Sequence, residues 1–279
     1  MFRKKNMLLP RISIGFAIYT AVFFLALLPL QADMLIKGGL THEKEAAIGQ
    51  TYEGSLEIQN NGDKPAEVKV YQTDYFFYAD GRVIYGEAGK LGRSNAHWIT
   101  FSPKTAIVPP KETLAVRYTV KVPEDSSLAG TYWSMMMVEE VPETSPESTL
   151  AKPDRVGMGI RQVFRYGVQF MTHIGQTGAR SIKFISTKLQ KAGVAQHLEL
   201  DVENSGQRML RAEVYAELYD PKGTFMGKFE AEPLRLYPGT SGRFKIDLSK
   251  IPNDTYKALV VVDCGGSDIF GANLNLVIK

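Results

Sequence analysis

The chain has 279 residues, of which 44% are hydrophobic and 23% are charged, a balance typical of a globular protein with two domains of ordinary size. Residues 1–32 hold four of the 33 basic side chains and none of the 30 acidic ones, so the rest has 33 − 4 = 29 basic and 30 acidic residues, a net charge of −1. Because this remainder has no basic excess with which to neutralise phosphates, its composition argues against nucleic-acid binding.

The first 32 residues have the pattern of a signal peptide. Arg3, Lys4 and Lys5 form a positive start, Ile12–Leu30 is an uncharged apolar run, and Leu30-Gln31-Ala32 fits a cleavage site. The apolar run is also long enough to span a bilayer, so an uncleaved anchor is the alternative, and the membrane is then a partner only through this segment. In both cases the rest is exported, and we expect a periplasmic or extracellular protein.

Alternation of apolar and polar residues predicts β-strands along the exported part. The clearest cases are Tyr52–Ile58, Leu114–Val122, Leu198–Val202 and Phe244–Leu248, and no stretch has a comparable helical period. The spacing of strands and turns is typical of Ig-like sandwiches. We therefore predict an all-β protein with two tandem Ig-like β-sandwich domains after the signal segment of residues 1–32. The first covers residues 33–175 and ends in a long hairpin, and the second covers residues 180–279.

The two predicted domains repeat one local pattern. Leu56–Gly62 resembles Leu200–Gly206, and in each case a strand is followed by a turn rich in Asn and Gly and then by a Val-rich strand. Asn and Gly tolerate the positive φ values that tight turns require. The repeat predicts equivalent turns in two similar sandwiches.

The predicted hairpin at the end of the first domain consists of strands Gly130–Val141 and Val156–Ile174. The second strand alternates so that four large apolar side chains share one face, namely Phe164, Tyr166, Val168 and Phe170. Two interpretations stay open, because alternation alone does not separate core packing from capture of a partner. Arg161 and Arg165 fall on the opposite face, as solvated strand charges or as ligands for a carboxylate.

No pattern in the sequence indicates catalysis, a cofactor or a metal. The four histidines have no metal-ligand spacing, Gly157-Met158-Gly159 lacks the third glycine of a dinucleotide loop, and no nucleophile lies in a catalytic motif. Trp133 with Met135, Met136 and Met137 fits a β core better than a soft-metal site. The lone Cys264 ends an apolar strand and is interpreted as a buried thiol, with an intermolecular disulfide as the alternative.

The export signal, the two Ig-like sandwiches and the long hairpin together resemble the periplasmic pilus-assembly chaperones (PapD-like proteins), over residues 33–279. This resemblance implies that the last strand of the first domain adds to an incomplete sandwich in a pilus or surface subunit, through Phe164, Tyr166, Val168 and Phe170. It also implies basic anchors for the subunit's carboxylate, for which Lys37, Arg161 and Arg165 are the candidates. The basic-Pro ending of the family's strand is replaced here by Thr172-His173-Ile174-Gly175.

Two functions are consistent with these features. The first is a non-enzymatic, chaperone-like factor that binds a secreted or surface protein subunit and assists its assembly. The alternative is a structural or adhesion module of the cell envelope, in which the Ig-like domains serve as spacers. A chaperone is expected to retain a partner in a one-to-one ratio, whereas a spacer is expected to purify alone.

Overall fold

The computed structural model describes residues 34–143, 145–150, 163–193 and 195–279, and Met34–Lys279 form one compact unit. The predicted signal peptide, Arg161 and the predicted strand start at Val156 lie outside the described residues. Within the described ranges, no helix is both long enough and apolar enough to cross a membrane.

The first half of the described chain consists of ten strands and one 3-10 turn at Ala96–Trp98. In chain order the strands are β1 (Met34–Lys37), β2 (Thr41–Ala46), β3 (Thr51–Asn60), β4 (Ala66–Phe77), β5 (Val83–Gly86), β6 (Ile99–Ser102), β7 (Thr105–Val108), β8 (Thr113–Lys121), β9 (Gly130–Val141) and β10 (Arg165–Ile174).

These strands form a sandwich of two sheets. One sheet has the order β1-β3-β8-β6, and the other has the order β2-β10-β9-β4-β5, with β7 also paired to β4. All pairs are antiparallel except β2 with β10, which is parallel. Alternate residues of both sheets point into a common core, as the burial of one face of each strand requires. This core includes Met34, Ile36, Leu56, Ile58, Val68, Val70, Val116, Val120, Met136, Val138, Val168 and Phe170.

The second half forms another two-sheet sandwich. Its strands are β11 (Ile182–Ala192), β12 (Ala195–Asn204), β13 (Leu210–Tyr219), β14 (Phe225–Glu230), β15 (Leu234–Leu236), β16 (Ser241–Asp247), β17 (Thr255–Asp263) and β18 (Ile269–Val277). One sheet has the order β11-β12-β16, and the other has the order β14-β13-β17-β18, with β15 paired to β13. The core between them includes Leu198, Leu200, Val202, Val214, Leu218, Phe244, Ile246, Val260 and Val262.

The predicted all-β fold with two sandwiches is confirmed. The division at residues 175 and 180 stays a prediction, because both sandwiches belong to one compact unit. Trp98 belongs to the 3-10 turn, and strand β6 begins directly after it at Ile99. Strand β2 was not predicted, because its sequence Thr-His-Glu-Lys-Glu-Ala has no apolar alternation.

The predicted repeat is confirmed at atomic detail by two buried asparagines. Asn60 Nδ2 donates to the carbonyl oxygens of Lys64 and Val108 at 2.8 and 2.9 Å, and its Oδ1 accepts from Gly62 N–H at 2.9 Å. Asn204 Nδ2 donates to the carbonyl oxygens of Arg208 and Leu236, both at 2.8 Å, and its Oδ1 accepts from Gly206 N–H at 2.9 Å. Each side chain therefore satisfies three backbone groups around the equivalent turn of its sandwich.

The two sandwiches contact each other directly. Trp133 of β9 stacks on Tyr237 of the second sandwich, with 5.1 Å between ring centroids, and Met171 and Met209 belong to the same buried cluster. Gly130 has φ +77°, and a Cβ there would lie 2.0 Å from the carbonyl oxygen of Gln207. Glycine is therefore required where the backbones of the two sandwiches touch.

Candidate functional site

Strand β10 is paired along only part of one border. It pairs with β9 over its whole length, from Arg165 to Ile174. On the other side it pairs with β2 only from Gln169 to Ile174. The four-residue stretch Arg165–Val168 is therefore an open strand edge.

The backbone hydrogen bonds show which groups face this edge. Gln169 N–H donates to Leu40 O at 2.9 Å and Gly175 N–H donates to Ala46 O at 3.0 Å, so the odd-numbered residues of β10 point towards the β2 side. By the alternation of a strand, Arg165 and Gly167 direct their N–H and C=O groups to the same side. Strand β2 begins too late to reach these backbone groups. On this side of β10 they have no other hydrogen-bond partner within the described chain. They can accept and donate in a ladder with an added strand.

The four predicted apolar residues of β10 divide into two pairs. Val168 and Phe170 are 0% and 3% exposed and belong to the core of the first sandwich. Tyr166 is half-buried, with its hydroxyl donating to Met34 O at 2.6 Å, and the half-buried Phe164 stacks on it with 6.5 Å between centroids. The pair next to the open edge, Phe164 and Tyr166, thus keeps accessible apolar surface, whereas the other pair packs inside.

Other apolar side chains near the edge are exposed. Leu40, whose carbonyl oxygen accepts from Gln169 N–H, is 46% exposed. Val163, just before β10, is 39% exposed. Together with Phe164 and Tyr166 they flank the unpaired backbone. Apolar surface beside unpaired backbone is the combination that strand addition uses, because the backbone supplies the ladder and the side chains supply burial.

Two of the three predicted basic residues, Lys37 and Arg165, lie in different sheets of the first sandwich. Arg165 is exposed and its guanidinium donates to Glu139 at 2.8 Å, a bond that lowers the pKa of the Glu139 carboxyl against the opposing effect of burial. Lys37 lies in the other sheet, where its Nζ donates to Thr113 Oγ1 at 3.2 Å. Arg161 is outside the described residues. A common carboxylate anchor of these residues stays a prediction.

A groove lies on the outer face of the sheet, beside Arg165. Its volume is about 430 Å³.

The groove is lined by Tyr71, Thr73, Tyr85, Met135, Met137, Arg165 and Gly167. Met135 and Met137 face this groove while Met136 faces the core, so the three methionines do not share one site.

A polar network missed by the sequence analysis joins β2 and β10 to the second sandwich. His173 Nδ1 lies 2.8 Å from Thr131 Oγ1, and Thr131 Oγ1 accepts from Met209 N–H at 2.9 Å. His173 Nε2 lies 2.9 Å from Glu43 Oε1, and the Arg211 guanidinium donates to Glu43 Oε2 at 2.6 Å. Its members are far apart in sequence and β2 was not predicted, so no local pattern in the sequence pointed to it.

The same network shifts the pKa of its members. Burial lowers the pKa of His173, and the hydrogen bond to Glu43 opposes this shift without reversing it. Burial acts to raise the pKa of Glu43, but the hydrogen bond from His173 and the charge of Arg211 outweigh it, so the pKa is lowered. The favoured state is therefore a neutral imidazole that donates to an ionised carboxylate.

Among the described residues, no group of three or more His, Cys, Asp or Glu side chains is placed to hold a metal ion. Cys264 is a free, half-buried thiol, and burial raises its pKa to about 11, which disfavours the reactive thiolate.

No protein family and no curated protein matches this chain in sequence. Solved structures that it resembles include a chaperone–tip adhesin complex of CFA/I fimbriae biogenesis, with a TM-score of 0.47 and 12% identity over 89% of this chain and 100% of the other. The CsuC–CsuE chaperone–tip adhesion subunit complex of Acinetobacter baumannii has a TM-score of 0.44 and 16% identity, over 89% and 100%. The Class 5 fimbriae chaperone CfaA has a TM-score of 0.46 and 10% identity, over 88% and 99%.

Proposed function

We propose that this chain is an exported, non-enzymatic, chaperone-like factor that binds a secreted or surface protein subunit by strand addition at β10. The observation that carries the proposal is the open edge at Arg165–Val168, where β10 has no partner strand on the side opposite β9. An added strand would bond to the backbone of Arg165 and Gly167 and cover Phe164, Tyr166, Leu40 and Val163. Strand addition of this kind needs no reactive group, only a backbone ladder and apolar burial.

Proline at position 165 tests the proposal, because it removes the outward N–H without interrupting the bonds to β9. Arg165→Ala is the matched control, since both variants lose the exposed ion pair with Glu139, which contributes at most about 1 kcal/mol. The protein and both variants are exported with an affinity tag, and the captured proteins are identified by mass spectrometry.

We expect the unaltered chain and Arg165→Ala to retain the same secreted subunit in a one-to-one ratio, and Arg165→Pro to lose most of it. Circular dichroism and thermal unfolding check that all three are folded. Equal capture by Arg165→Pro would contradict strand addition at this edge. A folded chain that always purifies alone would favour the structural or adhesion module instead.

A further inference from the structure

Strand β18 forms a second open edge, at the border of the sheet β14-β13-β17-β18 in the second sandwich. It pairs with β17 along Ile269–Val277 and has no partner on its other side among the described strands. Its sequence, Ile-Phe-Gly-Ala-Asn-Leu-Asn-Leu-Val, contains neither a charged residue nor a proline. Charges and prolines are the usual protection of an edge against pairing, so this edge is unprotected.

The other border strands of comparable length are protected. Among the described strands longer than four residues, the borders formed by β2, β11, β14 and β16 all carry charged side chains. Arg180, two residues before β11, forms an ion pair at 2.8 Å with Asp268, the residue before β18. Strand β11 itself carries Lys183, Lys188 and Lys191. Among the border strands longer than four residues in the described chain, the absence of charge is therefore particular to β18.

The backbone bonds define which groups of β18 are available. Cys264 N–H donates to Asp268 O and Ile278 N–H donates to Asp254 O, both at 2.9 Å, so the even-numbered positions bond towards β17. The odd-numbered residues point their N–H and C=O groups outwards. Ile269 N–H already bonds to Ser267 O at 3.1 Å, whereas Gly271, Asn273, Asn275 and Val277 have no other backbone partner in the described chain.

We infer that β18 pairs with β18 of a second copy of this chain, antiparallel and about a two-fold axis at Asn273. This register pairs the full strand with itself and places outward residues opposite outward residues, as a hydrogen-bonded ladder requires. Ile269 and Val277, 57% and 50% exposed, then lie opposite each other across the axis, and both become covered. Asn273 lies opposite Asn273 of the second copy, and Gly271 lies opposite Asn275 of the second copy.

The sequence of β18 is thus self-complementary about its centre, which is what an isologous interface requires. The two copies share one continuous sheet through their second sandwiches. The open edge of β10 belongs to the first sandwich, so this pairing does not depend on the proposed function.

Disulfide cross-linking tests the register. In a Cys264→Ala background, Asn273→Cys places two thiols opposite each other, with Cα atoms about 5.5 Å apart, within the range that a disulfide spans. Asn275→Cys is the matched control on the same exposed face, but its two copies would be about 13 Å apart along the strands. Under mild oxidation with diamide, we expect a covalent dimer for Asn273→Cys and not for Asn275→Cys.

Sedimentation equilibrium of the full exported chain tests the association itself. We expect a dimer that Asn273→Lys weakens roughly tenfold or more, because it places two like charges at the axis, while the same substitution at the exposed Asn61 has no effect. A monomer at all concentrations, an Asn273→Lys variant that associates as well as the unaltered chain, or preferential cross-linking of Asn275→Cys would overturn the inference.

Discussion

Single buried polar residues hold the turns of both sandwiches. Asn60 and Asn204 are both fully buried, and each satisfies two carbonyl groups and one N–H of the surrounding backbone. A buried backbone group that loses its hydrogen-bond partner lowers the stability of the fold by about 1–3 kcal/mol. These asparagines therefore stabilise both turns through hydrogen bonds to backbone groups that water does not reach.

Asn204→Ala is expected to lower the free energy of unfolding by about 2–4 kcal/mol, since it leaves three backbone groups without their partner. Urea denaturation followed by tryptophan fluorescence measures the change. Asn253→Ala, at an exposed position in the same half of the chain, is the control and should change stability by less than about 0.5 kcal/mol. A similarly small effect of Asn204→Ala would show that the turn does not depend on this side chain.

At the level of strands, the sequence predicts those with regular alternation and misses those without it. β3, β8, β12 and β16 alternate between buried and less buried residues, so period two identifies them. β2 carries four charged or ionisable residues in six, and it forms because its backbone pairs with β10 and Glu43 meets His173 and Arg211. Such long-range pairing cannot be read from local pattern.

The open edge of β10 illustrates the same division. Alternation identified the face shared by Phe164, Tyr166, Val168 and Phe170, but not where β2 stops pairing, which depends on the register between distant segments. The burial of Val168 and Phe170 favours the core interpretation for these two residues. The unpaired groups at the edge belong instead to the backbone of Arg165 and Gly167. Their role in partner binding stays a prediction.

For the whole molecule, the network at His173 places a titratable group at the contact between the two sandwiches. Burial lowers the pKa of His173 and of His42, so the unfolded chain binds more protons than the folded chain below the ordinary histidine pKa of 6.5. Stability from these neutral histidines is fully present above pH 6.5 and decreases as the pH falls towards their folded-state pKa values. The lowered pKa of Glu43 adds a loss at still lower pH.

We therefore expect the free energy of unfolding to be lower at pH 5.5 than at pH 7.5, because histidines of the unfolded chain take up protons between these two pH values. His173→Gln should reduce this difference, because glutamine keeps hydrogen bonding but does not titrate, and His42→Gln should remove a further part. Urea denaturation at the two pH values measures both. A pH dependence unchanged in His173→Gln would mean that the network does not contribute to it.

Amide hydrogen exchange at β10 tests the central claim most directly. In the free protein, the N–H groups of Arg165 and Gly167 should exchange rapidly, whereas Gln169 N–H, bonded to Leu40 O, should be protected. In a purified complex with a captured subunit, the Arg165 and Gly167 amides should become protected as well. Protection of both amides already in the free protein, or rapid exchange of both in the complex, would contradict strand addition at this edge.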